Sequence, residues 1–179
     1  MTDLSLARHL SSPHPDLQAA PLQVNSYFSD AVFRAEKSSI FANAPQYVGH
    51  TLAAPNRGDY YALPQEGEGR ALLHTSKGLE LISNVCRHRQ AIMLHGRGHQ
   101  EQSNIICPLH RWTYDTSGVQ PTGSLIGAPH FEHDPCLHLN NYALQSWNGL
   151  QFDATRSSHT DLKTLLSGLP KAKDLDFSG

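Results

Sequence analysis

Two short stretches hold residues able to do chemistry together, Cys86-Arg87-His88 and Cys107-Pro108-Leu109-His110. They read C-x-H-x18-C-x2-H. Each pair stands where a strand-like run meets a loop. Two hairpin tips facing each other would gather two thiolates and two imidazoles in one small volume. One group that fits is a tetrahedral zinc ion. The other is a [2Fe–2S] group with two cysteines on one iron and two histidines on the other. Zinc knuckles usually begin C-x2-4-C, so a leading C-x-H favours iron–sulfur. Neutral imidazole removes two negative charges relative to an all-cysteine cluster, which raises its potential.

Other candidate residues have plainer readings. Cys136-Leu137-His138 is a second C-x-H, but its order is wrong, and Cys136 reads as a small core residue. Among the 12 histidines, His95, His99, His130 and His133 read as solvated loop residues. Pro129 to Asp134, P-H-F-E-H-D, imitates a two-His-one-carboxylate iron site but is not read as one. Trp112 and Tyr114 alternate along a strand and read as core or loop cover. Arg87, Arg89, Arg97 and Arg111 form either a solvated rim or a positive patch for an acidic electron donor or a neighbouring subunit.

The elements that must position these residues are short. D-Y-Y-A-L (59–63), R-A-L-L-H-T (70–75) and L-E-L-I-S-N (79–84) read as strands, the last two flanking a Ser76-Lys77-Gly78 hairpin turn. N-I-I-C (104–107), R-W-T-Y-D (111–115), the long run 137–147 and L-Q-F-D (150–153) continue the series. Many short strands with turns between them predict a mainly β, small antiparallel domain. Before it, Ser29 caps a predicted helix with Val32, Phe33, Ile40 and Phe41 as a buried stripe, stopped by Pro45. After it, Thr160 caps a predicted short helix carrying Leu162, Leu165 and Leu166. The expected organisation is a flexible arm over 1–22, a helical segment over 23–46, the β domain over 47–155 and a linker with a helix over 156–179.

Composition narrows the classes. The 179 residues are 39% hydrophobic and 17% charged, with a net charge of −2. A global pull toward nucleic acid or an anionic membrane is not expected. No apolar run approaches the ~20 residues needed to span a bilayer, and no signal peptide is readable. Three cysteines are too few for a disulfide scaffold, so a reducing, cytoplasmic setting is expected.

The stretches N-V-C-R-H-R-Q-A and I-C-P-L-H-R-W-T-Y-D-T-S-G-V-Q resemble the α subunit of Rieske non-heme iron oxygenases, the aromatic ring-hydroxylating oxygenases. The likeness extends over roughly residues 27 to 155, through G-D-Y-Y-A-L, P-H-F-E and W-N-G-L-Q-F-D. It implies a Rieske-type fold of stacked sheets with a cluster-binding loop subdomain. It implies that Cys86 and Cys107 bind one iron of a [2Fe–2S] cluster, and His88 and His110 the other. It implies electron transfer from a ferredoxin or flavin reductase, fed from NAD(P)H, to a mononuclear Fe(II) in a later catalytic domain that this chain lacks. On that reading the chain alone has no catalytic residues, and full-length subunits assemble, often as trimers. Two rivals are a stand-alone Rieske ferredoxin and a zinc-stabilised interaction module.

The sequence departs from the family at Gln90 and Arg111, where glycine is usual. Respiratory Rieske proteins carry an extra disulfide cysteine in each loop, where this chain has Ala91 and Leu109. Trp112 replaces a serine that bonds their cluster. Fewer donors stabilise the reduced cluster less, so a potential toward the lower end of about −150 to +300 mV is expected.

Overall fold

The computed structural model describes residues 23–128, 130–131, 134–155 and 161–169. Among these the architecture is mainly antiparallel β. The strands are β1 Gln46–His50, β2 Asp59–Ala62, β3 Arg70–Thr75, β4 Gly78–Ser83, β5 Arg97–His99 and β6 Asn104–Ile106. They continue with β7 Thr113–Asp115, β8 Leu125–Gly127, β9 Asn141–Tyr142, β10 Leu144–Trp147 and β11 Leu150–Asp153. Two short α-helices, α1 Asp30–Glu36 and α2 Leu162–Leu165, flank them. No helix of the described residues is long and apolar enough to cross a membrane.

The strands form three sheets, ordered β5-β2-β3-β4-β9, β1-β11-β10 and β6-β7-β8. The five-stranded sheet lies between two cores, because neighbouring residues of a strand point to opposite faces. On β3, Ala71 and Leu73 face a core shared with Ile82, Ile105, Tyr114, Leu125, Cys86 and Cys107. Leu72, between them, faces a second core with Val48, Leu63 and Leu81. There β1 comes so close that a Cβ at Gly49 would lie 2.8 Å from Leu72 Cδ1. The first face carries the two cysteines, so the β6-β7-β8 sheet and the central sheet together hold the site. The β3–β4 hairpin closes at Gly78, whose φ of 107° few other residues adopt.

Several expectations change. The run 137–147 is not one strand. A 3-10 turn covers Pro135–Leu137, β9 pairs with β4, and β10 pairs with β11 in another sheet. The chain therefore crosses between sheets near Ala143. The 18-residue spacer between the two motifs contains β5, an edge strand paired with β2. Ser29 does cap α1, accepting from the Val32 N–H at 3.4 Å, and a π-turn over Lys37–Phe41 follows. Its apolar stripe is not buried: Phe33, Ile40 and Phe41 are all more than half exposed. The cap of α2 is Asp161, which accepts from the Lys163 and Thr164 N–H groups. Thr160, the arm over 1–22 and the chain after Leu169 lie outside the described residues.

Candidate metal centre

The site is built on two loops with one hydrogen-bond frame. In the first, Cys86 N–H donates to Ala91 O at 2.9 Å, and Gln90 N–H returns to Cys86 O at 2.9 Å. In the second, Cys107 N–H donates to Trp112 O at 2.8 Å, and Arg111 N–H returns to Cys107 O at 3.0 Å. Each frame needs a left-handed residue four places after its cysteine. Gln90 has φ 57° and Arg111 φ 61°. These are the positions where glycine was expected. The loops keep the glycine conformation without glycine, at about 1–2 kcal/mol each.

The four ligand candidates divide into two pairs. Cys86 and Cys107 are each 1% exposed and are not joined by a disulfide. Burial pushes the Cys107 thiol up and the neighbouring Cys86 sulfur adds to this, while the backbone N–H groups of Leu109 and His110 favour its thiolate. His88 and His110 are exposed, with ring centroids 4.6 Å apart at an edge-to-face angle of 79°. Desolvation, the His110 ring and Arg89 hold His88 below its ordinary pKa, which favours the neutral, metal-binding form. Trp112 stacks on His88 at 4.8 Å and is itself backed by Phe131 at 5.8 Å.

Tyr114 is the residue whose role the sequence did not reveal. It is fully buried. Its hydroxyl lies 3.4 Å from Cys86 Sγ and accepts the Arg87 N–H at 3.0 Å. Burial first, then the bond to Cys86, keeps the phenol protonated far above its ordinary range. With its oxygen taken by Arg87, the phenol is placed to donate to the sulfur. The alternation of T-Y-D marked Tyr114 as inward-facing, but its acceptor depends on a loop 28 residues away. Tyr114 thus supplies a contact to the sulfur that Trp112 does not.

Asn84 anchors the first loop from below. Fully buried, its amide donates to Glu68 O at 2.8 Å and Leu94 O at 2.7 Å, and its carbonyl accepts from Leu94 N–H at 2.8 Å.

The remaining candidates fall elsewhere. Cys136 is exposed in its 3-10 turn, not a core residue. The inner side of that turn is taken by Leu137, which packs against the core holding Cys86 and Cys107, so Cys136 faces out. Arg97 stacks on Tyr61 at 4.8 Å, on the face of the central sheet turned away from the cysteines. It therefore leaves the arginine rim. His95 pairs with Glu68 at 2.7 Å and His99 with Asp59 at 2.8 Å. His130 is exposed, and His133 lies outside the described residues.

Among the described residues, no three His, Cys, Asp or Glu side chains are placed to hold one metal ion together. Two sulfurs inside and two imidazoles at the edge suit a two-metal group better than one zinc. A family comparison decides the class. The model of the Rieske [2Fe-2S] domain matches residues 45–143. The chain belongs to the Rieske [2Fe–2S] domain family. A putrescine 2-hydroxylase of Ralstonia nicotianae is 49% identical over 179 residues, covering 100% of this chain and 45% of that protein. A putrescine 2-hydroxylase of Bordetella bronchiseptica is 39% identical, covering 93% of this chain and 40% of that protein. Among solved structures, the quaternary ammonium Rieske monooxygenase CntA matches with a TM-score of 0.61 and 25% identity, over 80% of this chain and 40% of that one. The chain thus spans less than half the length of these two curated relatives. The relatives are Rieske oxygenase subunits, and a Rieske domain binds a [2Fe–2S] cluster.

Proposed function

We propose that Cys86, Cys107, His88 and His110 hold the cluster, the cysteines on one iron and the histidines on the other. The bound cluster supplies one-electron redox chemistry. The chain is then the relay of an oxygenase α subunit. It accepts electrons from a ferredoxin or flavin reductase and hands them to a mononuclear iron outside the described residues. The carrying observation is the segregation of a buried sulfur pair from an exposed imidazole pair on matched loops. The buried side excludes water from the thiolates. The exposed imidazoles offer the short way out, and their outer N–H groups need acceptors from a partner. Full-length subunits are proposed to assemble, with a trimer as the proposed form, so that one cluster serves a neighbour's iron. The cytoplasm is the proposed compartment, and 47–155 the proposed domain, since β1 and β11 pair and close the unit at both ends.

The test is spectroscopic. Purified anaerobically, the chain should be brown, carry two irons and two sulfides, and give a Rieske EPR signal when reduced. His110→Cys should lower the potential by adding negative charge, while Cys136→Ser should leave the spectrum intact. A colourless chain with stoichiometric zinc would sink the reading. Loss of the spectrum in Cys136→Ser would show the wrong cysteine was chosen.

The likeness to two putrescine 2-hydroxylases also leads us to propose an aliphatic amine as the substrate of the oxygenase this domain serves. Putrescine-dependent oxygen uptake by the full-length oxygenase is the check.

A further inference from the structure

The two ligand loops are attached to their sheets in different ways. The second rises from neighbouring strands: β6 and β7 pair at Ile106 and Thr113, and that pair closes its base. The first leaves β4 at Ser83 and returns to β5 at Arg97. In the sheet, β3 and β2 stand between those two strands. The return path therefore crosses about 14 Å, three strand spacings, at the end of the sheet. An isolated bridge between Val85 and Ile92 joins the arms of the loop to each other, but does not fix the loop to the sheet.

The turn from β2 to β3, residues 63–69, meets the loop at both of its ends. On the β4 side, Gly69 O accepts the Asn84 N–H at 2.9 Å, and Glu68 O accepts from the Asn84 amide at 2.8 Å. On the β5 side, one Glu68 carboxylate oxygen accepts the Gly96 N–H and the other pairs with His95 Nδ1, each at 2.7 Å. Gly96 O in turn accepts the Ala62 N–H at the end of β2, at 2.8 Å.

Glu68 stands between Gly67 and Gly69 with φ 63°, a conformation that glycine adopts at no steric cost. A glycine there would still donate its N–H to Leu63 O, at 2.9 Å, and accept from Asn84. What glycine would lack is the carboxylate, whose bonds run to the return arm of the first loop. The Gly96 N–H first, then His95, hold that carboxyl below its ordinary range, so it is ionised at neutral pH and its bond to Gly96 is charge-assisted. Strain of this kind persists where function uses it.

We propose that Glu68 is a positioning residue for the cluster: its carboxylate pins the return arm of the first loop to the β2–β3 turn. Cys86 and His88 then meet Cys107 and His110 in one fixed arrangement. This rests on the ligand and relay reading above. Ligands must be held within about 0.5 Å of the productive geometry by the residues behind them. A first loop free to pivot would spread the cluster over several geometries and let water reach the buried sulfurs.

The test uses the cluster-loaded 179-residue chain. Glu68→Gly keeps the backbone bonds of the turn and its left-handed φ, and removes the carboxylate alone. It should fold, stay brown and melt close to wild type. Its reduced EPR signal should broaden, and iron transfer to the chelator bathophenanthroline should quicken about tenfold, the order expected for one lost charge-assisted bond. Hydrogen exchange should rise over residues 90–96 and stay unchanged over 104–115. Glu68→Gln keeps an acceptor for the Gly96 N–H and should recover most of the loss. A lower melting temperature with unchanged EPR width and iron release would make Glu68 a residue of stability only, and overturn the proposal. So would an unfolded Glu68→Gly, since the carboxylate would then be holding the turn itself. Glu68→Gly indistinguishable from wild type in every measurement sinks this proposal and leaves the relay reading standing. Absence of any iron–sulfur signature in wild type is the separate result that sinks the relay reading.

Discussion

Tyr114 is placed to tune the proposed cluster, its hydroxyl 3.4 Å from Cys86 Sγ. A hydroxyl donating to the Cys86 sulfur favours the more negative, reduced state, and so raises the potential. Tyr114→Phe should therefore lower it. A differential of ~1 kcal/mol between oxidation states is about 40 mV for one electron. The same change strips the Arg87 N–H of its acceptor, a loss of about 1–3 kcal/mol in stability. Protein-film voltammetry and urea unfolding read the two effects separately, and an unmoved potential would show that the hydroxyl does not serve the sulfur. The four ligand candidates were legible because metal sites demand particular residue types at particular spacings. Tyr114 was not, because its acceptor is fixed by the fold. Gln90 and Arg111 show the converse. Their side chains argue against a left-handed turn, yet the frame around each cysteine imposes one.

At the scale of elements, Arg70 ties the sheets together. From β3 it donates to Glu66 in the preceding turn and to Asp153 at the end of β11, and it lies 4.7 Å over the Tyr142 ring of β9. Burial raises the Asp153 carboxyl, but bonds from Thr155 and Arg70 outweigh it and hold the group below its ordinary range. A depressed carboxylate contributes stability above its unfolded pKa of about 3.9 and loses it as pH falls through the folded value. Asp153→Asn should thus cost about 1–3 kcal/mol at pH 7. The gap from wild type should begin to close below about pH 4 and vanish once the folded carboxyl is protonated. Unfolding curves across pH 2 to 7 (about the range of carboxylate titration) decide it; a pH-independent gap would mean the clamp acts through shape rather than charge. The hairpin strands could be read from alternation and turn residues. The break inside 137–147 could not, because Ala143 carries no turn chemistry and only pairing with two different sheets divides the run.

In the whole molecule, alternation along the central sheet separates two cores, one holding the cysteines and one closed by the β1-β11-β10 sheet. Neither core uses the segment before β1. No residue from Val24 to Phe41 is buried, and Tyr27 and Phe28 are 76% and 83% exposed. The 3.6-residue periodicity there predicts a helix, and α1 forms, but periodicity cannot say what a helix packs against, and among the described residues its apolar stripe joins neither core. A seven-residue helix is too short to hold itself by backbone bonds alone. Its removal should therefore cost the β unit little. A chain beginning at Ala42 loses the Phe41 carbonyl that accepts from Gln46 Nε2, but Gln46 is exposed and water can replace that bond. The shortened chain should keep its Rieske absorption and EPR signals, with stability within about 1 kcal/mol of wild type. Loss of the spectrum would place 23–41 inside the folding unit, and a domain beginning at 47 would be wrong.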